Sequence, residues 1–373
     1  MTELRSRVES HLASRDVQVG GPRAWDIQVH DERFFGRLVR DGSLGLGESY
    51  VEGWWDCPAV DQLFDRLGRG STNKPTRSLA RSLMRLRSKL TNLQSRARAR
   101  QVIERHYDLP VGLYERMLDA NMQYSCAWFE GTQDLGQAQR LKLELIARKL
   151  DLKEGQQVLE IGSGFGGLAR HLAQEHGVRV RATNLSGEQM AFARRFNAGL
   201  PVEIIEEDYR DTRGRYERIV SIAMLEAVGR RNYTAYFERV HQALQDDGVF
   251  VLHTIGDNRS RPHVDRWILE YIFPNGELPS PGELGQEIEG RFVLEDWHNL
   301  GPHYDPTLMA WARNFEQAWP EIQALDERFD ERFRRLWRYY LLSSAGNFRA
   351  RNVQLWQLVL TKHKSGTIWQ GSR

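Results

Sequence analysis

A short apolar run that ends in closely spaced glycines is the feature that most constrains the fold of this chain. The run Val158–Ile161 is followed by glycines at positions 162, 164, 166 and 167, and a helical pattern begins at Leu168. This order predicts a β-strand, a tight turn and a helix. Glycines let such a turn close and let a ligand lie against bare backbone, and the following helix directs its N-terminal N–H groups toward that ligand.

The rest of this region alternates strand patterns with helical patterns. The helical patterns cover 137–150, the stretch up to His176, 187–198 and 232–245. The strand patterns are Val158–Gly162, Val178–Leu185, Val202–Glu206, Arg218–Met224 and Val249–Ile255. The alternation predicts an α/β fold with a parallel, doubly wound sheet, and a ligand site beyond the carboxyl ends of its strands. Glu226 and His253 lie close to those ends in the sequence.

The glycine turn is compatible with more than one ligand. Its spacing fits a dinucleotide loop, the Glu-x-Gly-x-Gly-x-Gly turn of S-adenosylmethionine methyltransferases, and a crossover that binds nothing. A nicotinamide site expects an acid about 20 residues after the glycines, but the second strand ends in Thr183-Asn184-Leu185. Asn184 and Gln189 suit a ribose, and Asp208 with Tyr209 suits an adenine. These residues favour S-adenosylmethionine over a nicotinamide cofactor.

Length and composition set broad limits. With 373 residues, 40% hydrophobic and 27% charged, the chain is long enough for two soluble globular domains. No apolar run is long enough to span a bilayer, and the N-terminal residues lack the apolar core of a secretory signal. The two cysteines are far apart and match no zinc or redox spacing, so the sequence predicts a reducing, cytoplasmic location and no metal site.

The sequence before the glycine turn predicts a separate small domain. We assign 1–75 to an N-terminal lipid- or membrane-binding α/β domain that has a loosely held start over 1–22, 76–100 to a basic amphipathic linker helix, and 101–373 to the catalytic domain. Phe34-Phe35 and Trp54-Trp55 are predicted core residues, with an exposed lipid-contacting edge as the alternative. Glycines and polar residues between Gly68 and Pro75 have linker composition.

A basic block follows this linker. Between Arg66 and Arg105 the only acidic residue is Glu104. Leucines at positions 79, 83, 86, 90 and 93 form one helical stripe among the arginines. A basic amphipathic helix suits an anionic membrane surface, and it equally suits docking on a neighbouring domain or subunit. Nucleic acid is the third partner that such charge attracts, but no base-flipping loop is visible.

Several motifs resemble those of the cyclopropane fatty acid synthase family, over about 22–362. They are Gln123-Tyr-Ser-Cys-Ala127, the glycine turn, Asn184-Leu-Ser-Gly-Glu-Gln189, Leu252-His-Thr-Ile-Gly256, Phe273-Pro-Asn-Gly276, Tyr304-Asp-Pro-Thr-Leu-Met-Ala-Trp311 and Phe348-Arg-Ala-Arg351. The N-terminal motifs Gly42-Ser-Leu-Gly-Leu-Gly-Glu-Ser-Tyr and Gly53-Trp-Trp point to the members that act on phospholipids.

The resemblance implies a class I S-adenosylmethionine methyltransferase fold and a defined reaction. A methyl group is transferred to a cis double bond of a phospholipid acyl chain, a carbocation forms, a methyl proton is lost, and a cyclopropane ring closes. It also implies the residues that contact the cofactor: Tyr124, Ser125, Glu160, Gly162, Gly164, Gly166, Asn184, Leu185, Gln189, Asp208 and Tyr209.

The resemblance further implies a bound bicarbonate ion that acts as the base. Its implied ligands are Cys126, Glu226, His253, Ile255 and Tyr304. We expect Glu226 to orient His253 or to accept the proton of the anion, and Tyr304, Trp311 and Phe273 to shield the cation from water. Ser163 and Ala227 depart from the family pattern, which often has Cys and His at these positions.

Two alternatives to this reaction remain open. A methyltransferase that makes a methyl-branched or methylene chain would share the first step, and a non-catalytic lipid-binding protein would keep the fold. In each case we expect association with the inner face of the membrane, and the resemblance implies a homodimer.

Overall fold

The computed structural model describes residues 2–69, 109–260 and 264–373. Its strands are β1 Gln28–Val29, β2 Trp55–Asp56, β3 Gln157–Ile161, β4 Arg179–Asn184, β5 Val202–Glu206, β6 Tyr216–Ile222, β7 Leu244–Asp257, β8 Phe292–Asn299 and β9 Val353–Lys362. Its α-helices are α1 Thr2–Ala13, α2 Arg33–Asp41, α3 Ser43–Val51, α4 Val60–Arg69, α5 Val111–Met117, α6 Leu135–Leu150, α7 Gly167–His176, α8 Gly187–Phe196, α9 Leu225–Val228, α10 Tyr233–Ala243, α11 Arg266–Tyr271, α12 Pro281–Ile288, α13 Gly301–Gln317, α14 Trp319–Gln323 and α15 Glu331–Arg349.

The described residues form two compact units. The first comprises described residues within Met1–Thr91, Pro262–Pro274 and Tyr304–Val353, and the second comprises those within Asn92–Arg261, Asn275–His303 and Gln354–Arg373. We call them the helical unit and the sheet unit. The helical unit therefore draws on three separate parts of the sequence, and not only on the N-terminal segment.

The sheet unit contains a seven-stranded sheet in the order β5-β4-β3-β6-β7-β9-β8. The five strands β5-β4-β3-β6-β7 are parallel to one another, which confirms the predicted doubly wound sheet. β8 pairs antiparallel with β9, so the sheet ends in an antiparallel edge. Chain order reverses at β3, which has β4 on one side and β6 on the other. This is the position at which ligands bind in such sheets.

Both faces of this sheet are covered. Along β7 the side chains alternate between two clusters of buried residues: Phe250 and Leu252 belong to one, and Val249 and Val251 to the other. Helix α10 packs with the first cluster, and helices α6 and α7 pack with the second. Because both faces are covered along this part of β7, residues 249–252 form a continuous apolar run in the sequence.

Element boundaries agree with the sequence to within a few residues. β5 has the predicted bounds, and helix α7 ends at His176 as predicted. β7 begins at Leu244, five residues before the predicted start at Val249. The polar residues Gln245, Asp246 and Asp247 concealed that start, because the sequence shows no apolar run there.

The helical unit contradicts one prediction. Residues 2–13 form helix α1 instead of a loosely held start, and Val8 and Leu12 are buried there at 6% and 4% exposure. These two apolar side chains lie one helical turn apart on the same face of the helix, and Arg5 adds an ion pair of 2.8 Å with Glu32. Phe34, Phe35 and Trp55 are buried as predicted, whereas Trp54 is partly exposed beneath the guanidinium of Arg33.

A half-buried arginine links three elements of the helical unit. The guanidinium of Arg349, on α15, donates two hydrogen bonds of 2.8 Å to Asp305 and one of 2.7 Å to Asp61. Paired charges in fixed geometry hold α4, α13 and α15 in register. Gly346 on the same helix approaches the backbone of Asp61, where a Cβ would come within 2.3 Å of the carbonyl oxygen.

The predicted basic helix 76–100 falls outside the described residues. Among the helices that the structure describes, none combines the length and the apolar character needed to span a membrane.

Candidate active site

The glycine turn connects β3 to α7 at the position where the strand order reverses. Gly162, Gly164 and Gly166 have φ angles of 81°, 53° and 78°, values that favour glycine. The N–H groups of Gly162 and Ser163 donate to the carbonyl of Thr183 at 3.0 and 2.9 Å, so the turn is tied to β4. The predicted strand, turn and helix are confirmed.

Glycines 162, 166 and 167 are closely packed, and Gly164 leaves open space. A Cβ on Gly167 would lie 1.8 Å from the carbonyl oxygen of Asn121, and one on Gly162 would lie 2.6 Å from Met224. A Cβ on Gly164 would have no neighbour within 4 Å. Bare backbone beside open space at a helix N-terminus is the arrangement that accommodates a nucleotide-like ligand.

Asn184 ends β4 and shapes the turn beside it. Its amide donates to the carbonyl of Gly164 at 3.0 Å and to Oε1 of Gln189 at 3.1 Å. Its Oδ1 accepts the N–H of Leu185 at 2.7 Å. Asn184 thus holds the glycine turn and Gln189 together, so the predicted cofactor residues of β3, β4 and α8 form one cluster.

Asp208 and Tyr209 follow β5, next to β4 in the sheet. Asp208 accepts the N–H of Arg210 at 3.0 Å, and Tyr209 is buried with its ring 5.3 Å from that of Tyr236. The guanidinium of Arg210 lies 5.0 Å from the Tyr209 ring. These contacts fix the acid and the aromatic ring at the carboxyl end of the sheet, where the sequence predicted them.

The segment that carries Tyr124 and Ser125 is anchored by a buried lysine. The ammonium of Lys142, on α6, donates to Oε1 of Gln123 at 2.5 Å and to Oγ of Ser125 at 3.0 Å. The amide of Gln139 donates to the carbonyl of Ser125 at 2.9 Å. Lys142 is fully buried. Because burying an ammonium group without partners costs much free energy, these hydrogen bonds are what stabilises it there.

Lys142 and Glu160 form the electrostatic centre of this cluster. Burial lowers the pKa of Lys142. The electrostatic interactions with Asp119, Cys126 and Glu160 partly offset this shift. Burial raises the pKa of Glu160, and Lys142 opposes this shift. Oε2 of Glu160 is inaccessible to solvent and has no hydrogen-bond partner. A buried carboxyl oxygen without a partner, beside the glycine turn, suits a cationic group of a ligand.

His253 on β7 is held in one tautomer. The amide nitrogen of Gln357, on β9, lies 3.1 Å from Nδ1 of His253. With the Gln357 amide in this orientation its nitrogen donates, so Nδ1 accepts and Nε2 carries the proton. Burial, together with the charge of Lys142, lowers the pKa of His253 well below its usual value, so the ring is neutral. Nε2 is buried and has no partner, which leaves one N–H donor for a ligand.

Glu226 and Ile255 are joined by a direct hydrogen bond. The N–H of Ile255 donates to Oε1 of Glu226 at 2.6 Å. Burial raises the pKa of Glu226 to about 7, although the Ile255 N–H opposes the shift. Oε2 of Glu226 is buried without a partner. The Ile255 N–H, which the resemblance assigns to the anion, is engaged by Glu226 in this structure.

The other predicted anion ligands lie in both units. Cys126 is a fully buried residue of the sheet unit, and its Sγ lies 3.2 Å from the carbonyl oxygen of Ala127. Tyr304 belongs to the helical unit, where its ring packs 4.4 Å from Phe348 and 6.2 Å from Trp311. Phe273 packs there against Tyr340 at 5.9 Å. The roles of these residues stay predictions.

Sequence reasoning missed three residues of the sheet unit: Lys142, Gln139 and Gln357. A buried lysine looks like an ordinary charge on an amphipathic helix, and Gln357 lies in an apolar strand. A polar residue within the strand Val353–Leu360 was the only available signal. Ala227, the departure beside Glu226, is exposed, and Oγ of Ser163 is buried without a partner.

Comparisons with known proteins agree with this geometry. The family model "Mycolic acid cyclopropane synthetase" matches residues 94–358. Cyclopropane-fatty-acyl-phospholipid synthase of Escherichia coli K12 is 46% identical over 358 residues, which cover 95% of this chain and 93% of that protein. Tuberculostearic acid methyltransferase UfaA1 of Mycobacterium tuberculosis is 34% identical over 393 residues, covering 96% and 90%.

Solved structures show the same fold. The cyclopropane synthase MmaA2 from Mycobacterium tuberculosis superposes with a TM-score of 0.64 at 28% identity, covering 70% of this chain and 98% of that one. The mycolic acid cyclopropane synthase CmaA1, determined with SAH and CTAB, gives the same values. A coclaurine N-methyltransferase, at 22% identity and a TM-score of 0.69, supports the fold alone.

The sheet order, the glycine turn and these structural neighbours define a class I S-adenosylmethionine-dependent methyltransferase. Within that class, the chain belongs to the cyclopropane synthase family, whose members modify lipid acyl chains.

Proposed function

We propose that this enzyme transfers a methylene group from S-adenosylmethionine to the cis double bond of an unsaturated phospholipid acyl chain. The products are a cyclopropane acyl chain, S-adenosylhomocysteine and one proton. The observation that carries the proposal is the pair of buried, unpartnered polar atoms, Nε2 of His253 and Oε2 of Glu226, in a chain 46% identical to an enzyme of that name.

The cofactor residues of the sheet unit fit S-adenosylmethionine. Gly164 leaves bare backbone beside open space, and Glu160 has a buried carboxyl oxygen without a partner. The α-amino group of the cofactor would supply a cation for that oxygen. S-adenosylmethionine would supply the methyl carbon. Lys142, through Gln123 and Ser125, fixes the segment that carries Tyr124.

The same unit offers complementary groups for a small anion such as bicarbonate. Nε2–H of His253 is a donor, and Glu226, with a pKa raised to about 7, is protonated in a large fraction of molecules near neutrality. A protonated Glu226 donates to an anion instead of repelling it. Bound bicarbonate would supply a base for the methyl proton, and a neutral His253 keeps it oriented.

The reaction depends more on the alignment of the reactants and on the exclusion of water than on a strong acid. An alkene is a weak nucleophile, so alignment with the methyl group supplies much of the rate. The cation formed on the acyl chain needs aromatic or negative surroundings and the exclusion of water. We assign that role to Tyr304, Trp311 and Phe273, the aromatic residues that the sequence offered for it.

We further propose that the enzyme reaches its substrate at an anionic bilayer, at the inner face of the membrane, and acts as a homodimer. The basic stretch of the sequence between Arg66 and Arg105 supports the electrostatic part of this proposal. Segment 1–75 would bind lipid, and 101–373 would carry catalysis.

The reaction is tested by incubating the protein with S-adenosylmethionine and vesicles of unsaturated phospholipid. We expect S-adenosylhomocysteine and an equal amount of acyl chains that have gained CH2. The same lipids with saturated chains are the matched control and should yield neither product. If free unsaturated fatty acid reacts and phospholipid does not, the phospholipid assignment is wrong.

The similarity to tuberculostearic acid methyltransferase supports one alternative product, a methyl-branched or methylene chain. Both products begin with the same methyl transfer and differ in which bond forms next. Upfield cyclopropyl proton signals identify the first product, and olefinic or methyl-doublet signals identify the second.

Substitution Lys142→Met is expected to weaken S-adenosylmethionine binding about tenfold, or about 1.4 kcal/mol. The reason is that Gln123 and Ser125 lose the ammonium that positions their segment. Lys149→Met is the matched control, because Lys149 is also fully buried but pairs with Asp296 at 3.1 Å. Calorimetric titration measures both; equal affinities for the two variants would contradict the anchoring role.

The pKa of Glu226 predicts a pH-dependent stability. Because the folded-state pKa is raised to about 7 from an ordinary 4.5, the folded carboxyl binds its proton more tightly than the unfolded one. Stability is therefore lost as pH rises from about 4.5 to 7. Glu226→Gln should gain about 2–3 kcal/mol relative to wild type between about pH 5 and pH 8 in urea unfolding. If the free energies of unfolding of wild type and Glu226→Gln change in parallel with pH, the carboxyl is solvated and its pKa is not raised.

A further inference from the structure

A second cluster of ligating side chains lies on the outer helices of the sheet unit. Glu144 is on α6, and His171 and His176 are on α7. One ligand atom from each residue lies within 4.8 Å of the others. None of these residues belongs to the cofactor or anion sites described above.

The two imidazoles converge on one carboxylate oxygen. Oε2 of Glu144 lies 3.6 Å from Nε2 of His171 and 3.3 Å from Nε2 of His176. Both Nε2 atoms are buried, and neither has a hydrogen-bond partner. The rings meet edge to face at 5.5 Å. Three potential metal ligands therefore lie close together, and neither imidazole Nε2 is satisfied by a hydrogen bond.

These separations match those of a tetrahedral metal site. Zinc binds imidazole nitrogen and carboxylate oxygen at about 2.0–2.2 Å, which places donors around the ion about 3.3 Å apart. Two of the three donor pairs are already close to that distance. Two imidazoles favour Zn²⁺ and its neighbours in the transition series over Mg²⁺ or Ca²⁺, which prefer oxygen ligands.

The scaffold is rigid enough to preorganise these donors. Leu143 and Ala147 on α6 and Leu172 on α7 belong to one buried core cluster, so the two helices are packed against each other beside the ligating residues. His176 is the last residue of α7, about 13 Å along the helix from Gly167 at its start. His171 lies closer to that turn, about 6 Å along the same helix from Gly167.

We propose that Glu144, His171 and His176 bind one Zn²⁺ ion, with water as a fourth ligand, and that the ion clips α6 to α7. This site lies outside the proposed function, and either can fail without the other. The proposal also differs from the prediction made from the sequence. That prediction was of no metal site, because it considered only cysteine spacing and local motifs.

The test uses the full chain, purified without a polyhistidine tag and stripped of metal with a chelator. Titration with Zn²⁺ alone should show one ion bound per chain and a melting temperature raised by a few degrees. Substitutions His171→Asn and His176→Asn should each weaken that affinity about 100-fold or more. This is more than the loss expected when a residue that only hydrogen-bonds to a metal ligand is replaced. Co²⁺ should give the intense visible absorption of a tetrahedral site, which both variants abolish.

Two further variants make the result decisive. Glu144→Gln alters the partly exposed ligand, removes no core packing, and should also weaken Zn²⁺ binding. His241→Asn removes a partly buried imidazole on α10, next to Phe292, and should leave the affinity unchanged. The proposal is overturned if Zn²⁺ does not bind, or if stoichiometric binding survives Glu144→Gln and both substitutions on α7.

Discussion

Substitution Gln357→Glu is expected to reduce kcat by about 100-fold, the effect of losing one preorganised donor. The amide of Gln357 donates to Nδ1 of His253 and so leaves the proton on Nε2. A carboxylate at this position only accepts, so it would draw the proton to Nδ1 and turn Nε2 into an acceptor. The proposed anion would then lose the one neutral N–H aimed at it. The prediction therefore tests a tautomer and not merely the presence of a histidine.

The same strand offers a matched control. Gln354 is buried to a similar degree, and its Oε1 accepts the amide of Asn299 at 3.3 Å, a bond that a carboxylate can also accept. Gln354→Glu therefore introduces an equally buried acid without changing His253. Nitrogen NMR of labelled histidine should show protonated Nε2 in wild type and in Gln354→Glu, and protonated Nδ1 in Gln357→Glu. Retention of full activity in Gln357→Glu would exclude Nε2–H as an essential donor.

Substitution Gly167→Ala is expected to destabilise the sheet unit by about 3 kcal/mol and to abolish measurable binding of S-adenosylmethionine. A Cβ there would lie 1.8 Å from the carbonyl oxygen of Asn121 and 2.5 Å from Nε2 of Gln123. Backbone cannot move aside as a flexible side chain can, so the first turn of α7 must shift. That shift displaces both the glycine turn and the segment leading to Tyr124.

Gly285→Ala is the matched control for this change. Gly285 lies within helix α12 of the same unit, and a Cβ there has no neighbour within 4 Å. Alanine is the better helix former, so this variant should be more stable than wild type by about 0.5–1 kcal/mol. Urea unfolding and calorimetric titration measure both variants. Wild-type stability and affinity in Gly167→Ala would contradict the close contact.

Local patterns predicted most of the sheet unit. The run Val158–Ile161 with its glycines specified a strand, a turn and a helix because glycine readily adopts the positive φ angles found at 162, 164 and 166. The clustering of the candidate cofactor residues at the ends of β3, β4 and β5 was predictable for another reason. Parallel order brings consecutive strand ends to one edge, so residues far apart in sequence meet there.

Residues that act through long-range contacts were not predictable. Gln357 reaches His253 across neighbouring strands, and Lys142 reaches Gln123 from a helix whose pattern gave no sign that its ammonium is buried. Helix α1 escaped prediction because, among its described residues, only Val8 and Leu12 are buried apolar side chains. The regrouping of 262–274 and 304–353 with the N-terminal segment is likewise a tertiary property, with no local signature.

The central claim, methylene transfer with loss of one methyl proton, is tested most directly with S-adenosylmethionine carrying a trideuterated methyl group. The enzyme is incubated with vesicles of unsaturated phospholipid, and the released acyl chains are examined by mass spectrometry and proton NMR. The account predicts a cyclopropane ring whose new carbon retains two of the three deuterons. A product that retains all three, or one without a cyclopropane ring, would contradict it.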